Sequence, residues 1–114
     1  MGDCVFCRIV ERTIPAKIVA EDEQLLAFAD TNPQAPTHLL IVPKTHLPTL
    51  AALNDANATL MAHASLMANR LAAQHGIAQT GYRVVVNCGP QAGQSVAHLH
   101  LHLLGGRVMA WPPG

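Results

Sequence analysis

Charged residues are scarce in this sequence, and neither sign of charge is in excess. Only 12% of the 114 residues are charged, and seven lysines and arginines balance seven aspartates and glutamates. Broad nucleic-acid-binding surfaces and surfaces that bind acidic membranes need an excess of basic residues, so we expect neither partner. Half of the residues are nevertheless apolar, which indicates a globular chain rather than a disordered one.

Long apolar runs and a disulfide framework are also missing. No apolar run reaches the length of a membrane span, and the N-terminus, Met1-Gly2-Asp3-Cys4, has no basic region before an apolar stretch, unlike a signal peptide. An odd number of cysteines (Cys4, Cys7 and Cys88) favours a reducing compartment. We therefore predict a cytoplasmic protein with a single domain over residues 1–114.

The order of apolar and turn segments predicts an α+β fold. Apolar residues recur at helical spacing after Asn54 and Asp55, the two expected N-cap residues, and predict one long helix that ends near Gly76. One long helix suits an antiparallel sheet of about five strands better than repeated β-α-β units. A short helix is expected over Val5–Glu11, and strands are expected over Lys17–Glu21, Leu25–Asp30, His38–Val42, Tyr82–Asn87 and His98–Leu104.

Histidine is unusually frequent, with seven residues. His98, His100 and His102 alternate with leucines in the last predicted strand, so the three imidazoles would share one face. Imidazoles this close repel each other when protonated, and at least one is expected to stay neutral near pH 7. A neutral imidazole can act as a nucleophile. The same residues could instead bind zinc with an open water position or be hydrogen-bonded structural histidines.

A glycine-containing loop over residues 89–95 directly precedes these histidines. Gly93 allows the backbone to approach a ligand closely, and successive backbone N–H groups can hold an anion. The hydroxyl of Ser95 can donate a hydrogen bond. The loop therefore favours a phosphate ligand over a metal ion at the three histidines.

The segment from Gly93 to Arg107 (GQSVAHLHLHLLGGR) resembles the signature of the histidine triad (HIT) family, in particular its branch of histidine triad nucleotide-binding (HINT) proteins. The resemblance implies a HIT-like fold and a homodimer whose joined sheets form one larger sheet. It also implies hydrolysis of purine nucleoside phosphoramidates, and of some acyl-adenylates, through a covalent nucleotidyl-histidine. Segments of similar sequence elsewhere are Ile14–Lys17, Pro33–His38, Val42–Lys44, Gly81–Arg83 and Trp111–Gly114.

Catalytic roles follow from the same resemblance. His100 would be the nucleophile, His102 would hydrogen-bond a non-bridging phosphate oxygen, and Ser95 would contact the leaving group. His38 matches a further histidine that orients the triad or relays protons, and His98 is the first member of the triad. No catalytic cofactor is expected for this reaction.

The resemblance also implies a binding site for a purine nucleotide. Asp30 would hold the ribose hydroxyls, Asn87 and Gly93 would hold the phosphate, and Trp111 would reach the site of the partner subunit. The apolar slot for the base would consist of Phe6, Ile9, Ile14, Phe28 and Leu40. Without the resemblance, these five residues would be interpreted as ordinary core.

Cys4 and Cys7 have the spacing of zinc ligands, although Cys-x-x-Cys alone also suits a redox pair or two core thiols. Some bacterial members of the wider family complete a zinc site with the histidine after Pro-Lys-x and the first triad histidine. The resemblance therefore predicts a structural zinc ion held by Cys4, Cys7, His46 and His98. His98 cannot then also be a free proton donor.

Two other functions stay open at this point. One is a purine-nucleotide-binding or scaffold protein with little turnover, against which the intact His100 and Ser95 argue. The other is a hydrolase of dinucleoside polyphosphates or a nucleotidyl transferase of the wider superfamily. The closing Trp111–Gly114 and the short length favour the phosphoramidate hydrolase over this second alternative.

Overall fold

The computed structural model describes residues 3–114 and has the predicted α+β architecture. Met1 and Gly2, two of the residues on which the prediction of no signal peptide depends, lie outside the described residues. Between residues 3 and 114, no helix is both long and apolar enough to cross a membrane. The elements in chain order are α1 (Val5–Val10), β1 (Ile18–Glu21), β2 (Leu25–Ala29), β3 (Thr37–Pro43), α2 (Thr59–Gln74), β4 (Tyr82–Val85) and β5 (Leu101–Gly105).

The five strands form one antiparallel sheet in the order β1-β2-β3-β5-β4. In the centre of the sheet, Leu40 lies opposite Phe28 on one side and His102 on the other. Strand β3 is therefore paired along both edges. Its register places the side chain of His102 beside those of β3 and not at the rim of the sheet.

Both faces of the sheet are covered, which explains why β3 is a continuous apolar run instead of an alternating one. Helix α2 packs on one face, where its small and apolar residues meet the side chains of β2, β3 and β5. The short helix α1 packs on the other face through Phe6 and Ile9, against Leu26, Phe28 and Leu40. The core under α2 includes Leu25, Ala27, Leu39, Ile41, Ala64, Met67, Ala68, Leu71, Leu101 and Leu103.

The prediction that Asn54 or Asp55 caps the long helix is wrong. Helix α2 begins at Thr59, and its N-terminus has no side-chain cap. Asn54 instead stabilises a turn before the helix, because its Oδ1 accepts hydrogen bonds from the backbone N–H groups of Ala56 (2.9 Å) and Asn57 (3.2 Å). Asparagine favours such turns for the same reason that it favours N-caps, so composition alone did not separate the two.

The last strand is shorter than predicted, because it begins at Leu101 and not at His98. The backbone N–H of Leu99 donates to the carbonyl of Leu47 (2.6 Å), outside the sheet, so this stretch leaves the ladder of β5. The prediction that three histidines alternate on one strand face is therefore wrong for His98 and His100. Only His102 lies within the strand.

Candidate active site and metal site

His100 is a buried imidazole whose tautomer is set by the backbone. Its Nδ1 lies 2.7 Å from the main-chain carbonyl oxygen of His98. A carbonyl only accepts hydrogen bonds, so Nδ1 carries the hydrogen and the neutral ring keeps its lone pair on Nε2. The edge-on ring of Phe6, with centroids 5.1 Å apart, packs against the imidazole. Residue 100 thus offers an oriented nitrogen lone pair.

A chain of hydrogen bonds sets the protonation of His38 and His102 in the same way. The backbone N–H of Gln34 donates to Nδ1 of His38 (3.0 Å), so the neutral His38 ring carries its hydrogen on Nε2. That Nε2 lies 2.9 Å from Nδ1 of His102 and 3.3 Å from Oδ2 of Asp30. When His102 accepts at Nδ1, its own Nε2–H becomes a donor for a bound group.

Burial keeps these rings neutral. Desolvation, together with charge repulsion from the nearby His100 and His38, lowers the pKa of His102 to about 4. Desolvation also lowers the pKa of His38, although the carboxylate of Asp30 acts in the opposite direction. The sequence predicts that at least one of the crowded imidazoles stays neutral near pH 7, and His102 is such a ring.

The low pKa of His102 predicts a loss of stability on acidification. The unfolded chain protonates this ring near pH 6.5, whereas the folded protein resists protonation until about pH 4. The free energy of unfolding should therefore fall as the pH drops from 6.5 towards 4, by about 2 kcal/mol from His102 after allowance for its partial exposure. Urea unfolding of the wild type and of His102→Gln at both pH values measures the difference.

The variant should lose less stability on acidification than the wild type. Both proteins are kept with a chelator, so that metal release does not contribute to the difference. Parallel pH profiles for the two proteins would contradict the assignment of a depressed pKa to His102.

Four predicted metal ligands come together in the structure. Nδ1 of His98 lies 3.3 Å from Sγ of Cys4, 3.6 Å from Sγ of Cys7 and 3.1 Å from Nδ1 of His46. Sγ of Cys7 lies 3.3 Å from Nδ1 of His46. Nε2–H of His98 donates to the carbonyl of Pro43 (2.8 Å), so the lone pair on Nδ1 faces the other three residues.

These distances fit a tetrahedral zinc ion. Bonds of about 2.3 Å to sulfur and 2.0–2.1 Å to nitrogen imply donor separations of about 3.3 Å between nitrogens and 3.5 Å between sulfur and nitrogen. Burial, together with a hydrogen bond and charge repulsion from Cys4, raises the pKa of the Cys7 thiol to about 11, and a bound cation would stabilise its thiolate. A cavity of about 550 Å³ beside Cys4, His46 and Ser95 offers a path of entry.

Asp30, His38 and His102 form a second group whose spacing could hold a metal ion. The Gln34 N–H argues against it, because it occupies the Nδ1 lone pair of His38 and leaves Nε2 protonated. A neutral imidazole in that state has no lone pair for a metal. The hydrogen-bond chain instead orients His102, because it leaves the Nε2–H of that ring as a donor.

The five residues predicted for the base slot lie together beside the histidines. Four of them are buried in the cluster between α1 and the sheet, and Ile14 packs against its edge. The ring of Phe6 contacts those of Phe28, His98 and His100, with centroids 5.4, 5.9 and 5.1 Å apart. The apolar cluster thus borders the candidate nucleophile directly. The five residues predicted for the base slot are Phe6, Ile9, Ile14, Phe28 and Leu40.

The family follows from comparison with known proteins. A sequence profile of the HIT domain matches residues 11–109. The chain belongs to the histidine triad family. This histidine triad protein is 49% identical over 112 residues to a HIT-like protein of Synechococcus elongatus. The aligned region covers 98% of this chain and 97% of the relative. It is 48% identical to a protein of Zea mays named 14 kDa zinc-binding protein, over 96% of this chain and 87% of that one.

Solved structures agree with this histidine triad fold. The crystal structure of a protein named HIT family hydrolase from Legionella pneumophila is 51% identical, with a TM-score of 0.96 over 98% of this chain and 100% of that chain. A zinc-bound histidine triad family protein from Mycobacterium smegmatis is 33% identical, with a TM-score of 0.80 over 93% and 76% of the two chains. The described fold is therefore that of the family.

The remaining predicted residues of the histidine triad protein lie at the surface. Asn87 is half-buried just after β4, whereas Gly93 and Ser95 are exposed in the following loop, where Gly93 is left-handed with φ of 84°. Trp111 is 83% exposed and is not packed into the site of its own chain. The structure thus brings the triad, His38 and Asp30 together, but leaves Trp111 outside.

Sequence reasoning missed two glutamines that organise the site. Gln34 acts through its backbone N–H, which carries no signal in the sequence. Gln94 holds the loop through its side chain, which donates to the carbonyls of Pro48 (2.7 Å) and Val96 (3.0 Å) and accepts from the N–H of Gly89 (3.0 Å). An amide in a glycine-containing loop was the available signal for Gln94.

Proposed function

We propose that this histidine triad protein hydrolyses purine nucleoside 5′-phosphoramidates, and some acyl-adenylates, with His100 as the nucleophile. The observation that carries the proposal is the 2.7 Å hydrogen bond from Nδ1 of His100 to the carbonyl of His98, which leaves the Nε2 lone pair free. The solved relative from Legionella pneumophila is named a hydrolase, which supports the reaction class. The purine substrate rests on the resemblance to the HINT branch.

In the first step, Nε2 of His100 attacks the α-phosphorus. A nitrogen–phosphorus bond to the ring forms while the bond to the leaving amine breaks, and the amine takes up a proton from water as it departs. The ring, which keeps its Nδ1–H, becomes a nucleotidyl-imidazolium. His102 donates from Nε2–H to a non-bridging phosphate oxygen, because its Nδ1 accepts from His38. Ser95 lies in the loop before the triad and contacts the leaving group in this proposal.

In the second step, water attacks the phosphorus of the nucleotidyl-imidazolium and the nucleoside monophosphate is released. This attack restores the lone pair on Nε2 of His100. The attacking water loses its proton to solvent, while His102 keeps its Nε2–H on the phosphate oxygen because its Nδ1 accepts from His38. The covalent route divides a difficult displacement into two easier ones.

Nucleotide binding in this proposal uses residues from several parts of the chain. Asp30 binds the ribose hydroxyls, and its position is set by the N–H of Asn32, which donates to Oδ1 (2.8 Å). Asn87 and Gly93 hold the phosphate. The purine base lies against the apolar cluster that surrounds Phe6.

The proposal includes a structural zinc ion on Cys4, Cys7, His46 and His98. The distances among the donor atoms support it, as do the names of the relatives from Zea mays and Mycobacterium smegmatis. When bound, the ion would cross-link distant parts of the chain and keep the cysteines as thiolates. All three cysteines are free thiols, which suits the proposed cytoplasmic location.

Substrate comparison tests the proposed function. Adenosine 5′-phosphoramidate is expected to be hydrolysed at least about tenfold faster, in kcat/KM, than a diadenosine polyphosphate, a ratio that corresponds to about 1.4 kcal/mol. Release of AMP measures both reactions. A preference for the diadenosine substrate would assign the protein to the other hydrolase class, and no turnover of either would leave a nucleotide-binding protein.

A homodimer is also proposed, because β4 is an edge strand with an exposed apolar side chain. Val84 is 41% exposed on β4, and Leu66 of α2 is 57% exposed. Pairing of two β4 edges would join the sheets and let Trp111 reach the partner's site. Sedimentation should give twice the chain mass of 12.1 kDa, and Val84→Glu should shift it towards one chain. A wild type of single-chain mass would contradict the dimer.

A further inference from the structure

One residue joins the candidate metal site to the candidate nucleophile. The side chain of His98 directs Nδ1 at the two cysteines and His46, while its main-chain carbonyl accepts the Nδ1–H of His100 at 2.7 Å. His98 has no exposed surface. A displacement of the His98 ring therefore moves the hydrogen-bond acceptor that orients His100.

The backbone at this point is not held by the sheet. Strand β5 begins at Leu101, so the carbonyl of His98 lies in an irregular segment. The hydrogen bonds that anchor this segment include the one from Leu99 N–H to the Leu47 carbonyl and the one from Nε2 of His98 to the Pro43 carbonyl. The ring of His98 is thus one of the few attachments that hold the carbonyl in place.

A second route runs through helix α1. Cys4 and Cys7 flank Phe6, whose ring lies edge-on to both His98 and His100. Cys4 also caps the helix, because its Sγ accepts a hydrogen bond from the N–H of Cys7 (3.3 Å). The two thiols therefore set the place of the ring that packs on the nucleophile.

A bound cation would hold the four donor atoms in place. Nδ1 of His98 and Nδ1 of His46 lie 3.1 Å apart, and a cation beside them would bind both lone pairs together with the two cysteine sulfurs. Loss of the ion would remove this common attachment of the four side chains. The change would act on the ring of His98 and so on its carbonyl.

We propose that metal occupancy of the Cys4–Cys7–His46–His98 group sets the position of the His100 ring, so that these four side chains are positioning residues for the reaction. The inference rests on the proposed function in one respect only: the reaction supplies the kinetic readout. Misplacement of a reacting group by about 1 Å costs about 100-fold in rate. Metal loss should therefore lower kcat by about that factor while KM and AMP affinity change by less than about threefold.

A matched pair of variants at His46 tests the proposal, because the contacts of the His46 ring are with Cys7 and His98. His46→Ala removes a ligand, whereas His46→Cys keeps four zinc ligands. Zinc per chain, kcat, KM and the AMP dissociation constant are measured for both and for zinc-loaded wild type. His46→Ala should lose zinc and about 100-fold in kcat, and His46→Cys should regain both.

A spectroscopic readout is independent of turnover. The histidine rings are labelled with ¹⁵N. In zinc-loaded protein, the Nδ1–H proton of His100 should give a slowly exchanging NMR signal, because it is hydrogen-bonded and buried. The signal should vanish in His46→Ala and return in His46→Cys, while the amide signals of β1–β4 stay in place. Those amide signals show that the variant is folded.

The outcomes separate this inference from the proposed function. If zinc-loaded wild type does not hydrolyse the phosphoramidate, the proposed function fails, and the His100 signal alone decides the inference. If wild type turns over and His46→Ala, free of zinc and folded, retains both kcat and the signal, the proposed function stands and the inference is wrong. A rise in KM with unchanged kcat in His46→Ala would also overturn the inference.

Discussion

Replacing His100 with alanine is expected to lower kcat for adenosine 5′-phosphoramidate by about 10⁴-fold or more, the scale of loss when a covalent nucleophile is removed. The hydrogen bond from Nδ1 to the His98 carbonyl directs the Nε2 lone pair of this ring away from the backbone. Between residues 3 and 114, no other buried histidine offers the same state, since Nε2 of His98 is hydrogen-bonded to a carbonyl and Nε2 of His38 is protonated. Release of AMP under saturating substrate measures kcat.

His75→Ala is the matched control. This histidine lies at the C-terminal end of α2, where its Nδ1 bonds the carbonyl of Leu71 (3.0 Å), and its loss should leave kcat unchanged. Because Phe6 packs on His100, AMP affinity of His100→Ala must also be measured, and it should change by less than about threefold. Acid quenching should trap a phosphorus–nitrogen-linked nucleotide in the wild type but not in the variant.

Equal turnover in His100→Ala and the wild type would mean that another residue is the nucleophile. Trapped nucleotide on the variant would lead to the same conclusion. If the wild type itself shows no turnover while AMP binds, the nucleotide-binding alternative takes the place of the hydrolase.

The overall fold could be predicted because burial on two faces leaves a clear pattern. The run of β3 from His38 to Val42 is apolar at nearly every position, since α1 covers one face of the strand and α2 the other. The alternation of Leu101 and Leu103 with His102 is equally direct, because it reflects one face packed under α2 and one beside the histidines. Such periodicities depend only on local geometry.

The start of β5 could not be predicted in this way. His98, Leu99 and His100 continue the alternation in sequence, but the N–H of Leu99 bonds the carbonyl of Leu47, far away in the chain. Long-range backbone contacts of this kind have no local signature. For the same reason, the role of the Gln34 N–H in setting the hydrogen position on His38 was not foreseen.

The metal ligands illustrate the same limit. The spacing of Cys4 and Cys7 alone left a redox pair and core thiols open, and only the family resemblance added His46 and His98. The structure places the two imidazole nitrogens 3.1 Å apart, although the residues are 52 positions apart. Proximity over such a separation depends on the whole sheet and not on any motif.

Removing the metal ion is expected to cause the largest loss of stability. The proposed ligands join the N-terminal segment to residues 46 and 98, so the ion would bind the folded chain far more tightly than the unfolded one. At a free zinc concentration 1,000 times the dissociation constant, binding contributes about 4 kcal/mol to the free energy of unfolding. Urea unfolding followed by circular dichroism, with zinc and with a chelator, should show a loss of at least that size.

Cysteine variants separate the metal effect from general damage. Cys7→Ser removes a buried ligand, so its free energy of unfolding should be low and the same with zinc and with the chelator. Cys88→Ser removes an exposed thiol outside the group and should respond to the chelator as the wild type does. Because the ligands must lose protons to bind, the difference between zinc and chelator should also shrink as the pH falls.

The decisive measurement is the zinc content of purified wild type, taken together with its unfolding in the presence of the chelator. If wild type purified after growth with ample zinc holds well under one ion per chain and unfolds identically with the chelator, the four residues are not a metal site. The short separations between the sulfur and nitrogen atoms would then have to reflect shared protons, with both thiols protonated. In that case Cys7→Ser, which keeps a hydrogen-bond donor of similar size, should cost little stability, whereas a zinc ligand cannot be replaced by serine in this way.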